Sequence, residues 1–168
     1  MDNELRKVTV FSWAAIAGLA VLLAVVAWLA WPGPDPGEAA RAREYRDYDL
    51  CLLTGEGGIQ DDAASKVWQG LQKVSLETKS RVSYLSVTGE QTEAVAAQFV
   101  ATQVLQNCDV IVAVGGPQVN AVGNSAAKYP AVRFVVVGAP TVHGGSNLAN
   151  ADLNPVSVAD RVRPLVSN

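Results

Sequence analysis

The sequence predicts a three-layer α/β/α domain built on an all-parallel sheet and carried behind one N-terminal transmembrane helix. Three observations lead there. The apolar content is concentrated at the N-terminus, giving a mean hydropathy of +0.17 for the whole chain. From Asp49 onward, short apolar runs alternate with stretches of helical period, the pattern of successive βα units. Glycine-rich turns follow the first and third apolar runs, where a parallel sheet gathers its ligand loops.

Val8 to Trp31 carries no charged residue. At 1.5 Å per residue it reaches roughly 36 Å as a helix, enough to cross a hydrocarbon core of about 30 Å with some tilt. Trp13, Trp28 and Trp31 lie towards its ends, where indole rings favour the membrane interface. An uncleaved anchor is favoured over a cleaved signal peptide, whose apolar region usually runs only about 7–15 residues. Arg6 and Lys7 precede the segment, and Arg41, Arg43 and Arg46 come after it, so the positive-inside comparison is close to a tie. The very short tail of residues 1–7 favours export of the C-terminal part. The expected organisation is thus a tail over 1–7, an anchor over 8–31, a linker and juxtamembrane segment over 32–48, and one domain over 49–168. The expected location is the cell membrane, single-pass, with the C-terminal domain extracytoplasmic.

Pro32-Gly-Pro-Asp-Pro-Gly37 cannot continue a helix and reads as a stiff exit linker. Glu38–Tyr48 is charged and suits a short juxtamembrane helix. Asp49–Thr54 (DLCLLT) is a buried strand ending at glycines. Asp61–Leu76 sets Ala64, Val67, Trp68, Leu71 and Val74 on one helical face. Arg81–Val87 alternates as a second strand, and Gln91–Gln106 is helical with Val95, Phe99 and Val104 turned inward. Asp109–Val114 is a third, fully apolar strand. Pro117 suits the first turn of a helix reaching Tyr129. Val132–Val137 is the fourth strand, His143–Asn147 a polar loop and Leu148–Leu153 a weak fifth strand. Asn154 and Pro155 form a cap and first turn for a last helix to Val166. Five strands with right-handed crossovers give the flavodoxin-like order 2-1-3-4-5.

In that order a ligand sits beyond the carboxyl ends of the strands, between the first and third. Two glycine loops meet there, Thr54–Asp62 and Val114–Asn120. The candidate ligand-binding residues are Glu56, Gly57, Gly58 and Asp61 from the first, and Gly115, Gly116, Gln118 and Asn120 from the second. Glycines admit close backbone approach, and the helix starts behind them offer N–H groups. Neither GxxxxGK[ST] nor GxGxxG is present. Glu56, Asp61 and Asp62 place carboxylates where a phosphate would lie, so a neutral ligand with hydroxyls or amines fits better than a nucleotide. Helix capping and turn formation alone account for the same residues in a domain without a ligand.

Other chemistry is thinly represented. His143 is the only histidine, and no nucleophile is partnered with it. Three acids after the first strand suggest a phosphoacceptor receiver, but that site needs an acid ending the third strand, where Gly115 and Gly116 stand. The net charge of −3 and a pI near 5.1 argue against nucleic-acid binding. No cofactor motif is present, and the cysteine pattern supports no metal site. An exported domain would favour a disulfide between Cys51 and Cys108. If Asp49 and Asp109 lie level on adjacent strands, however, the two cysteines are offset by roughly 10 Å at about 3.3 Å per residue. The spacing therefore predicts two buried thiols.

Leu52-Leu-Thr-Gly-Glu-Gly-Gly-Ile-Gln-Asp61 followed by Val67-Trp-Gln-Gly70 resembles the start of the basic membrane protein family. These are PnrA-like substrate-binding proteins of ABC transporters with the type 1 periplasmic-binding fold. Cys108–Gly116 and Lys128–Val137 resemble the family's third strand and the lead-in to its fourth, so the similarity covers residues 49–138. The resemblance implies a non-enzymatic binder of a nucleoside-like ligand working with a transporter permease. Asp61 matches the family's sugar-binding aspartate. The Ser-Phe-Asn triplet that holds the base is replaced by Asp62-Ala-Ala-Ser65, which removes base stacking of about 1–3 kcal/mol. The length suits one lobe of a two-lobed binder. A homodimer with opposed strand-end faces would complete the half-cleft. The alternative expectation is a structural or partner-interaction domain that keeps the fold without a pocket.

Overall fold

A computed structural model describes residues 45–139 and 145–166, together with Val21, Ala24, Val25, Val26 and Trp28, which are helical. The expected anchor over 8–31 otherwise lies outside the described residues, as do His143 and most of the linker. Among the described residues no helix is long and apolar enough to cross a membrane. The chain divides into two units, Met1–Arg43 and Glu44–Asn168, and the second holds the α/β domain.

Its elements run β1 (Asp49–Thr54), α1 (Asp62–Thr78), β2 (Arg81–Ser86), α2 (Glu93–Leu105), β3 (Val110–Val114), α3 (Gly116–Ser125), β4 (Arg133–Val137), β5 (Leu148–Ala151) and α4 (Pro155–Val166). The sheet order is β2-β1-β3-β4-β5, and every pairing is parallel. Alternation along the strands divides the core into two layers. Leu50, Leu52, Val110, Val112 and Val135 pack under α1 and α4. Leu53, Ile111, Ala113, Phe134 and Val136 pack under α2 and α3. Burial on both faces explains why β1 and β3 read as unbroken apolar runs.

The edges follow a different rule. β2 has one neighbour and is largely exposed, so its alternation is that of a half-covered strand. Trp68 of α1 meets Tyr84 edge-on, with ring centroids 5.6 Å apart. On α2 the buried positions are Ala96, Val100 and Gln103, whereas Val95, Phe99 and Val104 are half-buried flanks. Gln103 replaces an apolar residue in that stripe because its Nε2 donates to Leu52 O at 3.2 Å. Residues 45–48 are not helical. Their backbone is tied to the start of β2, Arg46 N donating to Lys79 O and Arg81 N to Tyr48 O. α3 ends at Ser125 and β5 at Ala151, both short of the sequence expectation.

The cysteines correct a prediction. Cys51 and Cys108 form a disulfide, with Cα atoms 5.9 Å apart, rather than two thiols. The assumed register holds, since Cys51 lies opposite Ile111 and Asp109 N donates to Asp49 O. The error lay in applying a strand's rise to Cys108, which precedes β3. Asn107 adopts a left-handed φ of 60°, and Cys108 N donates back to Gln103 O at 3.1 Å. The chain turns there, bringing the sulfur to the sheet face that carries Cys51.

Candidate functional site

β1 and β3 are adjacent and parallel, so Thr54 and Val114 end side by side and release both glycine loops at one end of the sheet. The first loop is shaped by its own contacts. Gly58 has a φ of +60°, and a Cβ there would lie 2.9 Å from Ser86 Oγ. The loop can approach β2 this closely only with glycine at 58. A Cβ on Gly57 would overlap the Asp61 carboxylate. Asp61 is the N-cap of α1 but makes no side-chain cap bond, and Glu56 and Asp61 are exposed. Asp62 is paired with Lys66 at 2.6 Å, one turn along α1.

The second loop is arranged around Gln118. Gly115 has a φ of +102°, and a Cβ there would sit 2.5 Å from Gln118 Oε1. The glutamine thus folds back over the glycine. Gln118 is buried, with 1% of its surface exposed, and its Nε2 donates to Gln91 Oε1 at 3.0 Å. Gln91 Nε2 in turn donates to Val87 O at 2.9 Å. This amide chain fastens the start of α3 to the loop after β2. Gln118 is therefore committed to the protein, not presented to solvent.

A cavity of about 330 Å³ opens at the carboxyl ends of β3 and β4, bounded by Ala63, Gly115, Gly116, Asn120, Gly138 and Leu153. A Cβ added at Gly116 would meet nothing within 4 Å, so the backbone at the start of α3 faces open space. Among side chains lining the cavity, Asn120 supplies the polar group; Val114, Val119, Val137 and Leu153 make the rest apolar. Of the eight sequence candidates, Gly115, Gly116 and Asn120 line it. Glu56, Gly57, Gly58 and Asp61 do not, and Gly58 and Gln118 are buried.

Sequence reasoning missed Ala63, Val137, Gly138 and Leu153. Gly138 carried a usable signal: it comes directly after β4, and its φ of +71° turns the chain so that Leu153 packs over it. Leu153 carried none, because its place depends on how β5 leads into α4. Among the described residues no cluster of histidine, cysteine and acid side chains could hold a metal ion.

No protein-family profile matches the sequence. Among solved structures, the chain is similar to a fragment named as a candidate lipoprotein from Peptoclostridium difficile 630. The TM-score is 0.61 at 14% identity, covering 71% of this chain and 99% of that one. It is also similar to an ABC transporter solute-binding protein from Aeropyrum pernix K1, with a TM-score of 0.51 at 22% identity over 61% of this chain. There it spans 28% of the other protein's length. At these identities the likeness concerns the fold: this α/β domain has the architecture found in part of a solute-binding protein.

Proposed function

We propose that the α/β domain is a non-enzymatic solute-binding domain, held at the membrane by the segment over 8–31. In this reading it works extracytoplasmically with an ABC transporter permease. The observation that carries the reading is the cavity at the carboxyl ends of β3 and β4. It opens at the carboxyl ends of the strands, one strand over from the β1–β3 switch point, and its size is within the range of small-molecule sites. The apolar walls and the single amide of Asn120 suit the planar or alkyl part of a small ligand. The exposed carboxylates of Glu56 and Asp61 stand on the neighbouring loop after β1, outside the cavity lining. The motif resemblance to the basic membrane protein family makes a nucleoside-like molecule the first to test. A disulfide buried between β1 and the lead-in to β3 supports folding in an oxidising compartment.

The test is a thermal-shift and calorimetric screen of nucleosides, sugars and amino acids on the full chain in mild detergent. A ligand present at about 100 times its Kd stabilises by about 2.7 kcal/mol, and Gly116→Val, which projects into the open space, should abolish that gain. A second reading, a partner-binding domain without a solute, is favoured by the burial of Gln118 and by a half-cleft that another surface must complete. A uniform null in the screen, with the domain folded, would select it. A homodimer supplying the second surface predicts a ligand-dependent rise in mass by analytical ultracentrifugation.

A further inference from the structure

The opposite ends of the strands hold a second cavity, of about 350 Å³, whose lining includes Tyr48, Asp109, Arg133, Phe134, Asn147 and Leu165. Asp109 leads into β3 and Arg133 opens β4. The strands are adjacent, with Val110 opposite Arg133, so chain pairing brings an acid and a base to one sheet end. Both side chains are half-buried.

Each ion is held by neutral groups. Arg133 Nη1 donates to Tyr48 Oη at 3.0 Å and to Leu165 O at 2.9 Å. Tyr48 Oη donates to the same carbonyl at 2.8 Å. Asp109 Oδ2 accepts from Asp49 N at 2.8 Å. The two do not pair with each other, since the ion pairs among the described residues involve other side chains. Arg133 thus keeps Nε and Nη2, and Asp109 keeps Oδ1, without a partner among the described residues. Their free atoms remain accessible from the cavity, since the buried side-chain polar atom left without a partner among the described residues is Gln103 Oε1. A molecule carrying both opposite charges would satisfy the two at once. A phosphate would meet Asp109, and a simple amine would meet Arg133. Leu148, Ala149 and Leu165 supply apolar wall for a short alkyl group.

We propose that this cavity binds a small zwitterion, an α-amino acid with a short aliphatic side chain, its carboxylate on Arg133 and its ammonium on Asp109. The site is separate from the one at the carboxyl ends of the strands. Titration calorimetry on the full chain in mild detergent, with alanine, ethylamine and propionate, tests it. Alanine should bind, and each half-molecule should bind roughly 10- to 100-fold more weakly, because each lacks one charged hydrogen bond. Asp109→Asn, which keeps an acceptor for Asp49 N, and Arg133→Lys, which loses the planar fork, should weaken alanine by a similar factor. Gly116→Val, in the other cavity, should leave alanine binding unchanged. Absence of alanine binding at about 10 mM, tenfold above a Kd of about 1 mM, would overturn the proposal. So would equal binding by either half-molecule, or indifference to both substitutions. If a variant does not fold, the half-molecule comparison on the unaltered chain decides.

Discussion

Removing the Cys51–Cys108 bridge should be the most damaging change in this domain away from its two cavities. The cysteines are 57 residues apart in sequence and each is 3% exposed. The bridge links β1 to the turn between α2 and β3, so it closes a loop containing α1, β2 and α2. In the chain-entropy account a loop of that length restricts the unfolded chain by about 4 kcal/mol at 25 °C. A domain of this size has a total stability of about 5–15 kcal/mol, so the bridge is a large share of it. Cys51→Ala/Cys108→Ala should lower the urea midpoint by about 2–3 M, for an m-value of about 1.5–2 kcal/mol/M. It should also raise m, because the unbridged denatured chain is more expanded. The assay is urea unfolding of the full chain in mild detergent, followed by far-UV circular dichroism. Alkylation in denaturant without reductant, read by mass spectrometry, should modify neither cysteine in the parent protein. Labelling of both would refute the bridge. A stability loss under about 1 kcal/mol with the bridge confirmed would refute the loop-entropy reasoning.

Two further substitutions probe how α1 and α4 meet. Gly70 is buried on α1, and a Cβ there would lie 2.7 Å from Pro155 O and 3.0 Å from Val158 Cβ. Gly70→Ala should therefore destabilise by about 1–2 kcal/mol in urea unfolding, the helix-propensity gain being outweighed by overpacking against backbone. Glu77 accepts from Arg163 Nε at 2.8 Å across the same helix pair, and this bond holds its carboxyl below the usual carboxylate range. A depressed folded-state pKa contributes stability above the unfolded value that is lost as pH falls through the folded value. Glu77→Gln should thus lower stability at pH 7 slightly and flatten the acid limb of a stability–pH profile. An unchanged acid limb would remove this pair from the account, and both residues are exposed enough for salt to weaken the effect.

The order of elements and the sheet topology were legible in the sequence because they depend on short-range periodicity. DLCLLT and VIVAV read as buried strands because both faces of β1 and β3 are covered, and the covered run itself signals that. Pro155 after Asn154 marks the start of α4 for an equally local reason: Asn154 Oδ1 accepts from Ser157 N at 2.7 Å. The sequence places a ligand between β1 and β3, where the two glycine loops start together; the cavity instead opens one strand over, at the ends of β3 and β4, and is lined by the second loop rather than the first. Gly115, Gly116 and Asn120 belong to that second loop.

What the sequence left open were contacts between residues distant in the chain. Gln118 sits beside two glycines like a ligand residue, yet Gln91, nearly thirty positions earlier, takes its amide. The disulfide escaped a reading that extended strand rise back to Cys108, although Asn107, just past the end of α2, is the residue type that ends helices in the left-handed conformation it adopts. The meeting of an unpaired Asp109 and Arg133 at a second cavity needed the β3–β4 register, together with Tyr48 and Leu165 from opposite ends of the domain. The sequence by itself determined the strands, the helices and their order, because hydrophobic periodicity is a property of each segment. Only the tertiary structure decided which polar side chains are committed, which are available and which sulfurs meet, because those outcomes belong to pairs of segments and to the space left between them.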